Sequence, residues 1–272
     1  MHGEPQRLPA AFADALAARP RVGPIGASVL YFESIGSTND VAATLAGTGA
    51  AEGAVVIAEQ QTAGRGRMGR TWFSPPASGL YVSVVLAPTR ARIDPQRATM
   101  LLTLAAGVAL AEAVERATGL VPAIKWPNDL LVGTRKLAGI LAEGVASGSS
   151  RVHSVVLGYG INVAPAAYPP ELAVRATSLE SELGRAVDRG AVCAESLASL
   201  SRVYTRLLDG DFDAILDDWR ARAPGSRGRR VAWDAPGGHE RTGVTHGIDD
   251  SGALLVRVDG RIERIVAGEV RW

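Results

Sequence analysis

A glycine-arginine loop leaving the end of a buried strand constrains this chain more than any other feature. Gly64-Arg65-Gly66-Arg67-Met68-Gly69-Arg70 holds three glycines and three arginines in seven residues. It follows Ala54-Val55-Val56-Ile57-Ala58, an unbroken apolar run that reads as a buried strand. The glycines allow positive φ and close approach of backbone to a ligand. The arginines bring fixed cationic forks suited to phosphate or carboxylate. A fold that uses this stretch must open one end of a sheet onto an anionic ligand. The loop lacks the GxxxxGK[ST] of a Walker A site, and no glycine-led helix follows it as a dinucleotide fingerprint requires.

Composition narrows the choice. The chain has 272 residues, a net charge of +1 and 47% hydrophobic residues, enough for one large domain or a large and a small one. Near-neutral charge argues against a dedicated nucleic-acid binder. The one cysteine, Cys193, cannot form an intramolecular disulfide and fits a reducing, cytoplasmic setting. In Ala-rich helical sequence it reads as a small buried hydrophobe. No signal peptide is expected at the N-terminus, and the apolar stretch from Leu101 to Ala111 is too short to span a bilayer. His2, His153, His239 and His246 show no metal-ligand spacing, and there is no GxSxG, so a metal site is not expected.

Along the chain, residues 10–18 read as a helix stopped at Arg19-Pro20, and residues 31–35 as a strand. Ser37, Thr38 and Asn39 precede an alanine-rich helix from about Val41; they can cap it alone, or also line a pocket, and capping is the simpler reading. Residues 80–86 form a further strand, and 95–118 a long helix with Pro95 in its first turn and Gly119 at its end. Ile124-Lys125-Trp126-Pro127-Asn128-Asp129 leads through a turn into a hairpin tipped at 133–135. That hairpin gathers Lys125, Asp129 and Lys136 at one end. A strand from Val152 to Leu157 ends in Gly158-Tyr159-Gly160-Ile161-Asn162. Its two glycines fit tight strand packing and close ligand approach equally well. Residues 165–170 read as a loop and 189–222 as one or two helices with Trp219 on an apolar face. From Arg229, strands at 229–233, 241–247, 253–258 and 261–266, with turns at 236–238, 250–252 and 259–260, predict a small appended barrel.

Five segments then meet a known pattern in order: GSTND at 36–40, QQTAGRGRMGR at 60–70, KWPNDL at 125–130, KLAGIL at 136–141 and GYGINV at 158–163. Together they resemble the biotin protein ligases. The resemblance runs from about residue 30 to the C-terminus, where GALLV at 252–256 and GEV at 268–270 also fit. It points to the ligase-only class without an N-terminal winged-helix domain. The fold it implies is α+β: a mixed-sheet catalytic domain of the class II aminoacyl-tRNA synthetase-like biotin–lipoate ligase type, with helices on one face, over residues 1–224. An SH3-like barrel over 225–272 follows. The reaction it implies joins biotin and ATP as biotinyl-5′-adenylate, then passes biotin to a lysine of a biotin carboxyl carrier domain of acyl-CoA or pyruvate carboxylases. Mg²⁺ accompanies the triphosphate. A monomer or weak dimer without DNA or membrane contact is expected.

The resemblance also implies site roles. Lys136, Arg67 and Asp129 would be catalytic, with Asp129 either a base or an orienter of Lys136. Biotin would meet Ser37, Thr38 and Gln61 at its ureido end and Gly139, Leu141, Gly158 and Gly160 along its ring, with Asn39 also among its contacts. Arg65, Gly66, Arg67 and Lys136 would close on its carboxylate. The nucleotide would meet Arg65, Arg67, Arg70, Trp72, Lys125, Asn128, Lys136 and Asn162. The loop at 64–70 is expected to be mobile until carboxylate and phosphate supply its arginines with partners. Two other readings stay open. A lipoate–protein ligase shares the fold and adenylate chemistry. A nucleic-acid-binding module is suggested by three arginines within 225–230.

Overall fold

The computed structural model describes residues 3–19, 23–49, 52–146, 152–235 and 238–272. The predicted stop at Pro20 and the turn residues Pro236 and Gly237 lie outside these, as do His2 and the side chain of His153. Seven strands form one mixed sheet: β1 (Val29–Ile35), β2 (Val55–Gln61), β3 (Gly79–Leu86), β4 (Ala123–Lys125), β5 (Asp129–Val132), β6 (Arg135–Ala146) and β7 (Val152–Asn162), ordered β1-β2-β3-β7-β6-β5-β4. β1 and β2 pair in parallel, and every other pair is antiparallel. β7 therefore continues through the predicted glycine terminus, and both glycines lie within the strand.

The apolar run of β2 is buried on both faces, as a strand covered on each side requires. Val55 and Ile57 enter the large core, while Val56 and Ala58 enter a second, smaller one. The large core sits under α1 (Ala10–Ala17), α3 (Pro95–Thr118), α6 (Arg189–Asp209) and α7 (Phe212–Arg222). The small core lies under α2 (Thr38–Gly47), whose Val41 and Ala42 meet Phe32, Val56, Val85 and Val156. Helices thus cover both faces, where the resemblance implied one. Short helices α4 (Pro170–Ala173) and α5 (Leu179–Leu183) interrupt the segment between β7 and α6.

α3 begins and ends as its sequence predicts. Asp94 accepts from the Arg97 amide at 2.9 Å, Pro95 holds the first turn, and Gly119 closes the helix at φ 81°. By length and composition α3 could cross a membrane, but 72% of its apolar window is buried in this core. α6 and α7 part at Gly210, which takes φ 87°. Trp219 is fully buried on α7, and Cys193 on α6, where burial pushes its thiol up to about 12.

The C-terminal strands β8 (Arg227–Asp234), β9 (Glu240–Ile248), β10 (Leu254–Val258), β11 (Arg261–Ile265) and β12 (Val270–Arg271) make a second, antiparallel sheet ordered β11-β10-β9-β8-β12. The sheet is open between β11 and β12 among the described residues. Asp259 and Gly260, at φ 48° and 81°, make the predicted tight turn. This sheet docks on the first through Trp126, whose Nε1 donates to the Gly252 carbonyl at 3.0 Å, and through Gly252, which packs on Leu101 and Leu104. Arg97 adds a bond to the Asp250 carbonyl at 3.1 Å.

Candidate active site

The α2 face of the sheet leaves a floor made mostly of glycine. On β6 and β7, Gly139 lies opposite Gly160 and Leu141 opposite Gly158. Outward of these, Asp129 pairs with Gly139 and Ser83 with Gly158. The glycines are required by what rests on them. A Cβ on Gly158 would stand 2.0 Å from Asn39 Oδ1, and one on Gly160 would stand 2.3 Å from Trp72 Nε1. What approaches these glycines closely is the protein's own Asn39 and Trp72, so tight packing accounts for both.

A narrow, half-open cleft lies over this floor. Of the residues singled out from sequence, Ser37, Thr38, Asn39, Gln61, Arg65, Gly66, Arg67, Trp72, Asn128, Lys136, Gly139, Leu141, Gly158 and Gly160 all line it. Arg70, Lys125, Asp129 and Asn162 line a larger groove that runs on toward the second sheet. Trp72 belongs to both and stands where they meet.

One end of the cleft is polar and fully bonded. The Thr38 amide and hydroxyl donate to Gln61 Oε1 at 2.8 and 3.1 Å, and Gln61 Nε2 donates to Ser74 Oγ at 2.9 Å. Ser83 Oγ lies 2.7 Å from Thr38 Oγ1 and 2.6 Å from Asn39 Oδ1. Asn39 Nδ2 donates to Glu143 Oε2 at 2.6 Å. Ser37 takes the N-cap position of α2 without a side-chain cap bond, so capping is not what this trio of side chains does. Ser83 and Glu143, which bond to these side chains from outside the cleft lining, are residues the sequence reading missed. The signal for Ser83 was a lone hydroxyl inside LYVSVVL, and for Glu143 a carboxylate ending the apolar run after Lys136.

The other end is cationic. Lys136 Nζ stands 2.6 Å from Asp129 Oδ1, a close ion pair, and 5.3 Å from the Trp72 ring centroid. Arg67 is half-buried, and burial lowers its pKa. It donates only to neutral oxygens, Asn128 Oδ1 at 3.3 Å and the Gly268 carbonyl at 3.4 Å. Among the described residues no carboxylate lies within ion-pair distance of Arg67. Burial also lowers the pKa of Lys125, which faces the Trp272 ring at 5.7 Å. Asn128 is itself fixed by exchange with Ile140, donating Nδ2 to its carbonyl at 2.8 Å and accepting from its amide at 2.9 Å.

The remaining predicted residues are already engaged. Arg65 pairs with Asp40, and with Glu143 at 2.9 Å. Arg70 reaches across to Glu269 of the second sheet at 2.7 Å, and its hydrogen bonds hold that carboxylate below its usual range. The expectation that these arginines lack partners without ligand is corrected: carboxylates of the fold itself face two of them. The loop closes on itself through Gly66 N to Arg70 O at 2.7 Å and Trp72 N to Gly64 O at 2.8 Å, with Met68 at φ 57°. Asn162 is buried, and its Nδ2 donates to the Thr177 carbonyl at 2.9 Å, tying the 175–177 segment to Lys136.

Chemically, this is a cleft with a flat apolar floor, a hydrogen-bonding end, and a mouth where under-compensated cations converge. It suits an elongated ligand with a polar head and an anionic tail, adjoining a second anionic ligand in the groove. Comparison with known proteins gives a consistent result. The model of the biotin/lipoate A/B protein ligase family matches residues 31–162, and that of the biotin protein ligase C-terminal domain matches 228–271. A biotin–[acetyl-CoA-carboxylase] ligase of Mycobacterium tuberculosis is 39% identical over 239 residues, 86% of this chain and 85% of that protein. The bifunctional ligase/repressor BirA of Bacillus subtilis is 37% identical over 248 residues, 90% of this chain and 74% of its own length. Among solved structures, a biotin protein ligase from Aquifex aeolicus in complex with biotin and ATP superposes with a TM-score of 0.76 at 27% identity, covering 90% of this chain and 98% of that one.

Proposed function

Because the chain belongs to the biotin protein ligase family, we propose that its cleft holds biotin and its groove ATP, and that it transfers biotin to a carrier lysine. The observation that supports this most directly is the pairing of a glycine floor with Arg67, a half-buried cation facing only neutral oxygens. Asp129 and Glu269 act on its charge from beyond ion-pair distance, so a ligand that brings an anion into contact adds the most at Arg67. Biotin's carboxylate and the α-phosphate are two such anions, and they repel each other until preorganised cations offset the repulsion.

In this reading the carboxylate oxygen attacks the α-phosphorus. The new O–P bond forms as the bond to pyrophosphate breaks, leaving biotinyl-5′-adenylate. A neutral lysine amine of the carrier then attacks the acyl carbon, AMP departs, and the amine proton passes to a base. Lys136 and Arg67 hold the charge that develops at the phosphate. Asp129, 2.6 Å from Lys136 Nζ, orients that ammonium. Thr38 and Gln61 meet the ureido ring, while Gly139, Leu141, Gly158 and Gly160 underlie the bicycle and its chain. Trp72 separates the biotin cleft from the nucleotide groove. Lys125 and Arg70 face the triphosphate. Mg²⁺ enters with the triphosphate. Residues 1–224 perform the chemistry, and 225–272 close the groove. The carriers are carboxylase carrier domains, the enzyme works in the cytoplasm without DNA, and it is a monomer or weak dimer.

The test is incubation with ATP, biotin and a carboxylase carrier domain, read by streptavidin blot, beside biotin-dependent ATP–pyrophosphate exchange. Transfer that needs both small substrates is the expected result. Exchange driven by lipoate and not by biotin would overturn the assignment.

A further inference from the structure

We infer that Glu143 is a positioning residue that sets the donor–acceptor sense of the cleft's polar end and couples it to the arginine loop. Asn39 is nearly fully buried between Glu143 on β6 and Ser83 on β3, with its amide directly above Gly158. An amide can turn over without changing shape, so its orientation depends on what surrounds it. A carboxylate accepts and cannot donate. The 2.6 Å contact to Glu143 Oε2 therefore fixes nitrogen on that side and Oδ1 toward Ser83 and the floor.

The consequence passes along the network. Ser83 Oγ has one proton and two acceptors in reach, Asn39 Oδ1 and Thr38 Oγ1. If Thr38 takes it, the Thr38 proton goes to Gln61 Oε1; if Asn39 takes it, the Thr38 proton turns to Ser83 Oγ or Gln61 Oε1; in both cases Gln61 Oε1 accepts from the Thr38 amide and the Gln61 nitrogen goes to Ser74. The oxygens of Asn39, Thr38 and Gln61 thus act as acceptors. Turning Asn39 over would place an NH₂ against Ser83 and remove one acceptor from the floor. An end rich in acceptors selects a head group that offers N–H donors, as a cyclic urea does. The same Oε2 also accepts from Arg65 Nη2 at 2.9 Å, so one carboxylate oxygen ties the head-group end to the loop that bears Arg67. Glu143 itself lines neither the cleft nor the groove.

This inference rests on the biotin reading, and the test separates the two. Biotin and ATP affinities are measured by calorimetry on the full chain for wild type, Glu143→Gln, Asn39→Asp and the exchange double variant Asn39→Asp/Glu143→Gln, with thermal unfolding of each. A wild-type chain that binds no biotin sinks the functional reading. Given wild-type binding, Glu143→Gln should weaken biotin about tenfold, the loss of one charged hydrogen bond, and change ATP affinity by less than about twofold. The double variant restores an acceptor-only group facing an amide, and the amide at 143 can still accept from Arg65. It should bind biotin within about threefold of wild type, tighter than either single variant. Wild-type biotin affinity in Glu143→Gln, or a double variant no better than its weaker parent, would overturn the inference. If Glu143→Gln fails to fold, a folded, binding double variant supports the positioning role. Failure of both to fold would make Glu143 architectural and overturn it.

Discussion

Alanine at Gly158 and at Gly160 should separate two consequences that a methyl group on the cleft floor can have. Neither glycine takes a positive φ, so alanine is not excluded by the backbone itself. The difference is in what the methyl meets. At Gly158 it would stand 2.0 Å from Asn39 Oδ1 and 2.8 Å from Asn39 Cγ. Asn39 cannot yield without breaking its bonds to Glu143 and Ser83, both 2.6 Å. Two lost bonds and an unsatisfied buried amide come to ~2–4 kcal/mol. At ~2–4 °C per kcal/mol for a chain of this size, Tm should fall by ~5–15 °C. At Gly160 the methyl would stand 2.3 Å from Trp72 Nε1. That indole nitrogen has no hydrogen-bond partner, so displacing the ring breaks no hydrogen bond of its side chain. Gly160→Ala should therefore lose less than ~1 kcal/mol, a shift of under ~4 °C. Both variants fill the floor, so the Tm rise that biotin produces by mass action should vanish in both. Dye-monitored unfolding with and without biotin reads all four states. Equal destabilisation by the two substitutions, or a biotin-induced rise surviving in Gly160→Ala, would refute the account of the floor.

Three further outcomes are expected. Lys136→Ala should slow biotin-dependent pyrophosphate exchange ~100-fold or more, as loss of a preorganised charge donor does, and wild-type exchange would remove Lys136 from the chemistry. Arg67→Gly should keep some adenylation but let the intermediate escape, so that albumin becomes biotinylated in a bystander assay; unlabelled albumin would count against Arg67 as a residue that retains the intermediate. For Lys125 the sign follows from burial, which lowers its pKa. The folded state holds that proton less well than the unfolded chain, so stability should rise with pH between the lowered value and the ordinary lysine value. Lys125→Met should raise Tm without ligand at neutral pH, flatten that rise, and weaken ATP binding; a lower Tm would show that the charge is compensated.

Much of this site is legible in sequence because its chemistry needs rare residue types at fixed places. At the glycines of KLAGIL and GYGINV, Asn39 and Trp72 occupy the space a Cβ would take, so any larger residue has to displace one of them. The Lys136–Asp129 pair follows from a hairpin whose turn is set by Gly133 at φ 59°. What could not be read are partners supplied from a distance. Glu143 meets Asn39 across 104 positions, and Arg70 meets Glu269 across 199. No periodicity encodes such contacts. A covered second face was written in β2, whose first four residues are all apolar, but two-sided burial does not by itself say which helix covers which side. β12 is two residues long, below what alternation can reveal.

The loop at 64–70 is better understood as exchanging partners than as gaining its first ones. Arg65 and its carboxylates Asp40 and Glu143 have side chains about 40% exposed, at 40%, 41% and 39%. Arg70 is 63% exposed and Glu269 34%. Exposed pairs of this kind contribute ~0–1 kcal/mol each, so they hold the loop weakly. Arg67 is the reverse, half-buried and facing neutral oxygens, and it gains most when an anion arrives. The outer arginines therefore keep the loop near its working position while the inner one awaits its ligand. Salt should expose the difference. Raising ionic strength from ~0.1 to ~1 M shortens the screening length from ~10 to ~3 Å and weakens exposed pairs far more than enclosed ones. Tryptic cleavage after Arg67 or Arg70 should accelerate with salt in the ligand-free protein, corrected for the protease's own salt response on a free peptide. With biotin and ATP bound, cleavage should stay slow at both ionic strengths, because the anions are then enclosed with Arg67. Cleavage of the free protein that does not change with salt would show that the backbone bonds from Gly66 to Arg70 and from Trp72 to Gly64 hold the loop, and that its ion pairs are incidental.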